Sequence, residues 1–229
     1  MSGGLDSSIL TAQLVDHGFV VYPFYIRCRL VWEPFELAAA ARFLDAIRTP
    51  RLRELVVLEM PLDDLYGNHW SITGCETPTA DSADEAVYLP GRNALLVVKA
   101  ALWCQLHGIH RLALAPLGTS PFADASDQFF DPFQTALNLG NGPRLQIERP
   151  FAEKDKRQVM ELGRNRPLEF SFSCISPSDS QHCGNCNKCA ERQAAFRSIR
   201  LPDPTAYASN LNPNAQATQP TTPAPPAWS

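Results

Sequence analysis

The period of the apolar positions changes several times along the chain. Runs rich in β-branched and aromatic residues, Phe19 to Ile26, Leu55 to Met60, Leu112 to Ala115 and Leu168 to Cys174, read as strands. Segments of helical period lie between them. In the clearest, Phe35 to Ile47, the residues Leu37, Ala40, Ala41, Phe43, Leu44 and Ile47 fall largely on one face, and Pro50 stands beyond its end. A second helix is predicted over Asn93 to Leu106, stopping at His107-Gly108, where glycine supplies the left-handed turn that closes helices. A third, Asp6 to Asp16, has Leu10 and Leu14 one turn apart and ends at Gly18. Strands alternating with helices predict an α/β fold, a parallel sheet wound with helices on both faces. No internal repeat is visible.

The helix at Asp6 leaves Ser2-Gly3-Gly4-Leu5 as the loop before it. In a doubly wound sheet a glycine-rich loop of this kind follows the first strand, so the chain reads as beginning one strand late. The expectation is that the start codon is misassigned and that an apolar strand is encoded upstream. At the other end, from about Pro202, Pro, Ala, Thr, Asn and Gln replace the aliphatic residues that could offset ordering entropy. The expected organisation is a nucleotide-type domain over 1–168, a cysteine-bearing element over 169–201 packed on it, and a disordered Pro-rich tail over 202–229.

Composition narrows the function classes. With 20 basic and 24 acidic residues the net charge is −4, so no global field attracts nucleic acid, which is not an expected partner. No apolar run approaches the roughly 18 residues of a membrane span, and Met-Ser-Gly-Gly-Leu-Asp is no signal peptide. A cytoplasmic protein without a membrane partner is expected. In that compartment the 7 cysteines argue against a disulfide framework.

Two groups of residues carry chemistry. Ser2-Gly3-Gly4-Leu5-Asp6-Ser7-Ser8 places small residues, hydroxyls and amide donors at a helix start, where the macrodipole favours an anion. It is neither a Walker loop, lacking Gly-Lys-Ser/Thr, nor a GxGxxG fingerprint. The residues alone also permit a plain linker capped into the helix by Asp6 or Ser7. The second group is Cys174, Cys183, Cys186 and Cys189, three of which can converge from one tight turn containing Gly184. Four thiolates complete a tetrahedral shell and point to structural zinc, with unligated thiols and an iron–sulfur cluster as the other readings. His182 is expected beside the ligands or facing solvent. Cys28, Cys75 and Cys104 read as buried thiols, although a catalytic cysteine would indicate a thiolase. His17, His69, His107 and His110 show no ligand spacing.

The heptapeptide resembles the PP-loop of ATP pyrophosphatases. Taken with Tyr88-Leu89-Pro90-Gly91-Arg92-Asn93 in the middle and Ser173-Cys174 leading into Cys183-Gly-Asn-Cys-Asn-Lys-Cys189, it resembles the QueC family, the 7-cyano-7-deazaguanine synthases. Further matches are Ala136 to Gly140, Arg149-Pro150-Phe151 followed by Lys154, and Arg192 with Ala195-Phe196. The resemblance spans residue 1 to about 204. It implies a Rossmann-like PP-loop fold with one zinc per chain, and conversion of 7-carboxy-7-deazaguanine and ammonium to the nitrile with ATP.

On this resemblance Ser2, Gly3, Gly4, Leu5, Asp6, Ser7 and Ser8 bind ATP with Mg²⁺. Asp6, Lys154 and Arg92 act catalytically, Asp6 being equally readable as a helix cap. Tyr88, Arg92, Asn93 and Asp124 contact the substrate, and Cys174, Cys183, Cys186 and Cys189 hold the zinc. A homodimer is compatible with this picture. Two stretches depart from the family pattern. Ala115 to Ser126 keeps only Ser120 and Asp124 of the usual stretch, with Phe122 for a tyrosine, and the aromatic-Gly-Gln-Arg-His stretch has become Tyr25-Ile26-Arg27-Cys28-Arg29. A related enzyme adenylating a different acceptor, in a defence or secondary-metabolite pathway or on a tRNA base, and a zinc-stabilised binding protein without turnover are the alternatives.

Overall fold

The computed structural model describes residues 1–140 and 144–208. Its elements run α1 (Leu5–Asp16), β1 (Phe24–Arg27), α2 (Glu33–Ala46), β2 (Val56–Glu59), the short helices α3 (Asp63–Tyr66) and α4 (Trp70–Thr73), α5 (Arg92–Leu106), β3 (Arg111–Ala113), α6 (Asp127–Gly140), β4 (Gln146–Glu148), α7 (Lys156–Leu162) and α8 (Asn187–Ser198). All strand pairs are parallel, β1 with β2 and β3 with β4, as an α/β chain requires. Among the described residues no helix is long and apolar enough to cross a membrane.

The predicted helices form with small shifts. Pro34 stands in the first turn of α2, where its missing N–H costs nothing. Gly91, with φ of 71°, leads into α5, and Gly108, with φ of 67°, follows it. The apolar face of α2 buries Ala39, Ala40, Phe43 and Leu44.

The single sheet is corrected. Among the described residues it is divided into two-stranded halves, β1-β2 and β3-β4. Ladder geometry shows where the division falls. The Val56 and Met60 amides donate to Pro23 O and Arg27 O, each at 2.8 Å. Alternation along a parallel ladder therefore turns the peptide groups of Phe24 and Ile26 to the opposite edge, where the Met1 amine donates to Phe24 O at 2.5 Å. On the other half, Gln146 N–H donates to His110 O and Leu114 N–H to Glu148 O, each at 2.8 Å, so Arg111 and Ala113 turn away from β4. Both free edges line one cavity. Helix α5 spans the two halves, its Val97, Ala101 and Cys104 sharing a core with Phe24 and Leu112.

Two further expectations change. Leu168 to Cys174 is not a strand. A 3₁₀ turn over Leu168–Phe170 is followed by extended chain whose Phe172 amide donates to Gly3 O at 2.8 Å, so it braces the N-terminal loop instead of joining a ladder. The first residues of the expected tail, 202–208, are ordered. Arg192 Nε donates to Thr205 Oγ1 at 2.6 Å and Ala208 N–H to His182 O at 2.8 Å, fixing 202–208 against the cysteine element. The rest of the predicted tail, 209–229, lies outside the described residues.

Candidate active site

The N-terminal loop is shaped by its glycines. Gly3 has φ of 75°, and a Cβ there would stand 2.6 Å from the carbonyl oxygen of Glu36, so only glycine lets the loop lie against α2. Gly4 caps α1, its carbonyl accepting from Ser8 N–H at 3.1 Å. The hydroxyls of Ser2 and Ser7 meet at 3.2 Å, and Ser7 Oγ also accepts from Ser2 N–H at 3.1 Å. These bonds brace the loop across the N-terminus of α1.

The loop forms one wall of a cavity of about 790 Å³. Of the loop residues Ser2, Gly4, Leu5, Asp6 and Ser7 line it. Gly3 is turned into Glu36, and Ser8 is fully buried with its hydroxyl unpartnered among the described residues. Asp6 is not the helix cap: it sits one residue inside the first turn, and its carboxylate pairs with a lysine.

That lysine is Lys156, not Lys154. Lys156 Nζ lies 2.7 Å from Asp6 Oδ2 and 2.8 Å from Glu191 Oε1. The lysine opens α7, where Asp155 and Gln158 form a reciprocal capping box that fixes the helix start. Burial pulls its pKa down, but the Asp6 and Glu191 carboxylates outweigh this and hold the ammonium above the ordinary lysine value. The Lys154 backbone instead belongs to a turn, bonding Phe151 O through its amide and Gly118 N–H through its carbonyl, each at 3.0 Å. Its side chain is absent from the cavity wall. The Asp155-x-x-Gln158 signature was the sequence signal that could have singled out Lys156.

Arg92 and Asn93, at the start of α5, both line the cavity. Arg92 Nε has no hydrogen-bond partner among the described residues, leaving guanidinium donors for an anion. Asn93 is held from behind by Asp124, its Nδ2 donating to Oδ1 at 3.1 Å and to the backbone carbonyl at 3.2 Å. Asp124 therefore orients Asn93 and does not itself reach the cavity. Tyr88 also stands outside it, tilted against Phe122 with ring centroids 5.3 Å apart, and Phe122 forms the wall.

Glu36, in the first turn of α2, carries no mark in the apolar pattern of that helix. It is buried at the cavity wall and accepts from Tyr25 Oη at 3.0 Å. Burial pushes its carboxyl up to about 7 against the opposing pull of Arg92.

The sulfurs of Cys174, Cys183, Cys186 and Cys189 lie within 4.8 Å of one another, all buried. Cys174 and Cys186 are 3.8 Å apart and Cys183 and Cys189 3.9 Å, close to the roughly 3.8 Å edge of a sulfur tetrahedron with metal–sulfur bonds of about 2.3 Å. The Cys183 and Ser176 amides point at Cys174 Sγ from 3.3 and 3.4 Å, as donors to a thiolate would. Contact with the Cys174 and Cys189 thiols holds Cys186 well below the ordinary thiol range. The four residues could thus hold a metal ion. His182 is buried, not solvent-facing: its Nε2 accepts from Ser173 N–H at 3.1 Å, and burial lowers its pKa to about 3, keeping the imidazole neutral.

Helix α8 joins the cysteines to the cavity. Cys186 caps it and Cys189 lies in its first turn, while Lys188, Glu191 and Arg192 all reach the cavity wall. Arg192, fully buried, donates to Ser171 Oγ at 2.9 Å, Ser173 Oγ at 3.3 Å and Leu168 O at 3.1 Å.

Among known proteins, residues 1–200 match the family model described as Queuosine biosynthesis protein QueC. The chain is 27% identical to the 7-cyano-7-deazaguanine synthase of Chlorobaculum parvum over 90% of this chain and 94% of that protein. It is 28% identical to the 7-cyano-7-deazaguanine synthase of Syntrophobacter fumaroxidans, over 90% and 93%, and 25% identical to that of Methanocaldococcus jannaschii, over 90% and 97%. Since the match takes in the glycine loop, the start of α5 and the cysteine cluster within one span, the chain belongs to the QueC family.

Proposed function

We propose that the chain is an ATP-dependent carbon–nitrogen ligase of the 7-cyano-7-deazaguanine synthase type, converting 7-carboxy-7-deazaguanine and ammonium to the nitrile. The observation that carries this reading is the convergence of the Ser2–Ser7 loop, Lys156 and Arg92 on one cavity. A carboxylate is a poor electrophile. Its oxygen attacks the α-phosphorus of ATP, the bond to the bridging β-oxygen breaks, and pyrophosphate leaves. Ammonia then displaces AMP to give the amide. A second adenylation, on the amide oxygen, allows loss of AMP and protons to leave the nitrile.

The chain's own residues supply binding and charge. Amides at the start of α1 and the Ser2 and Ser7 hydroxyls face the phosphates, and Lys156 and Arg92 balance the charge that grows on the departing pyrophosphate. Asp6 would hold the Mg²⁺ that accompanies ATP, and Lys156, now paired with it, would serve the phosphates. Asn93, oriented by Asp124, and Arg92 face the acceptor. Cys174, Cys183, Cys186 and Cys189 would hold a zinc ion through four sulfurs, and a metal so held would serve as a structural clamp on the start of α8.

A second acceptor acid is the competing reading, favoured by one observation. Residues of both departing stretches, among them Tyr25, Ile26, Ala115, Pro116 and Phe122, line the cavity directly. Incubation with ATP, ammonium and 7-carboxy-7-deazaguanine tests both. AMP, pyrophosphate and a product of nitrile mass are expected. AMP release only with another acid would replace the acceptor. ADP and phosphate would overturn α,β-cleavage, and no turnover of any acid would favour a binding protein.

A further inference from the structure

We propose that Lys188 is a further pyrophosphate-binding cation of this site, paired with Lys156 through the shared carboxylate of Glu191. The proposal rests on the α,β-cleavage of ATP argued above and names the residues that receive the leaving group.

Glu191 holds two ammonium groups at once. Its Oε1 lies 2.8 Å from Lys156 Nζ and its Oε2 2.6 Å from Lys188 Nζ. Lys156 continues the chain of charges to Asp6 at the start of α1. Two carboxylates and two ammoniums thus form a neutral row joining α1, α7 and α8, and all four side chains line the cavity. None is a freely solvated surface charge, since the side chains of Lys156, Asp6, Lys188 and Glu191 are 23%, 26%, 30% and 35% exposed. The other cations of the wall are committed differently. Arg111 is held in a two-pronged pair by Glu148 at 2.6 and 2.8 Å, and Arg192 is spent on Ser171, Ser173, Leu168 and Thr205. Arg92 approaches from α5.

The arrangement suits a polyanion that appears during the reaction. Before turnover each ammonium has a carboxylate partner. When the α-phosphorus bond breaks, its electron pair stays on the pyrophosphate oxygen, and the leaving group gains negative charge beside the loop amides. Lys156 and Lys188 then swing from carboxylate oxygens to phosphate oxygens, Glu191 having set them side by side beforehand. The root of Lys188 is rigid, because it lies between Cys186 and Cys189 and α8 is pinned by buried Arg192. Glu191 is a positioning residue, acting through the two lysines.

Calorimetric titration of inorganic pyrophosphate and, separately, AMP into the full chain tests this, using wild type, Lys188→Ala, Lys188→Gln, Lys188→Arg and Glu191→Gln. Zinc content and melting temperature serve as checks on folding. The expected result is about tenfold weaker pyrophosphate binding for Lys188→Ala and Lys188→Gln with AMP affinity unchanged, substantial rescue by Lys188→Arg, and a smaller loss for Glu191→Gln. In turnover, kcat should fall while KM for the acid stays. Folded Lys188 variants that bind pyrophosphate as tightly as wild type overturn the subsite and leave the α,β-cleavage reading standing. A wild-type chain that binds neither ATP nor pyrophosphate overturns that reading and the subsite with it.

Discussion

Gly3 and Glu36 are in contact through their backbones: a Cβ on Gly3 would stand 2.6 Å from the Glu36 carbonyl oxygen. The phosphate-type loop is thereby keyed to α2, and the same residue of α2 lines the cavity beside the loop, its carboxylate accepting from Tyr25 Oη.

Gly3→Ala meets both a left-handed backbone and an immovable carbonyl. A destabilisation of about 1–3 kcal/mol is expected, with loss of ATP binding and no change in metal content. Denaturant melts and ATP titration check this; an alanine variant that binds ATP normally would show the loop to be held otherwise.

Lys156→Met should leave Asp6 and Glu191 without their shared cation. The expected cost is about 1–3 kcal/mol in stability, together with a fall in AMP release, while Lys154→Met changes neither. Comparing the two variants by urea unfolding and AMP release decides which lysine serves the loop.

Glu36 gives a pH signature of unusual sign. Its folded pKa of about 7 lies above the ordinary 4.5 because of burial, so between those values the folded chain holds a proton that the unfolded chain has released. Its contribution to stability is full below about 4.5 and is lost as pH rises through 7. Glu36→Gln should remove this slope, and the wild-type-minus-variant difference in stability measured from pH 5 to 8 should fall as pH rises. A flat difference would show Glu36 ionised throughout.

Removal of Cys186 should release the metal and loosen α8 together with 202–208, because the helix is capped by that cysteine and the segment packs on it. Freshly purified protein is expected to carry about one zinc per chain, and Cys186→Ser to lose it and several kcal/mol of stability. Elemental analysis finding neither zinc nor iron would refute the assignment.

The open edges of β1 and β3 offer backbone groups to one cavity. Fusing about six apolar residues rich in Val and Ile directly before Met1 should therefore bridge the half-sheets. Slower hydrogen exchange at the Ile26 and Ala113 amides and a gain of several kcal/mol are expected, at about 1–1.5 per hydrogen bond. Unchanged exchange at both edges would count against the bridge.

Much of this protein was legible in its residues because the signals are local. Glycine at a tight helix entry, cysteines spaced to converge from one turn, and the period of α2 and α5 each depend on neighbours a few residues apart. The four cysteines are singled out by such spacing and Arg92 and Asn93 only by the family resemblance; the structure places the two α5 residues on the cavity wall and the cysteine sulfurs together. Tertiary packing decided the rest. Which lysine meets Asp6 depends on where α7 starts relative to α1, 150 residues away in sequence, and Glu191 becomes a bridge only because α8 lies against that junction. Asp124 and Tyr88 stand behind Asn93 and Phe122 for the same reason. Sequence spacing specifies which side chains share an element, but the order in which they face a cavity follows from how the elements pack.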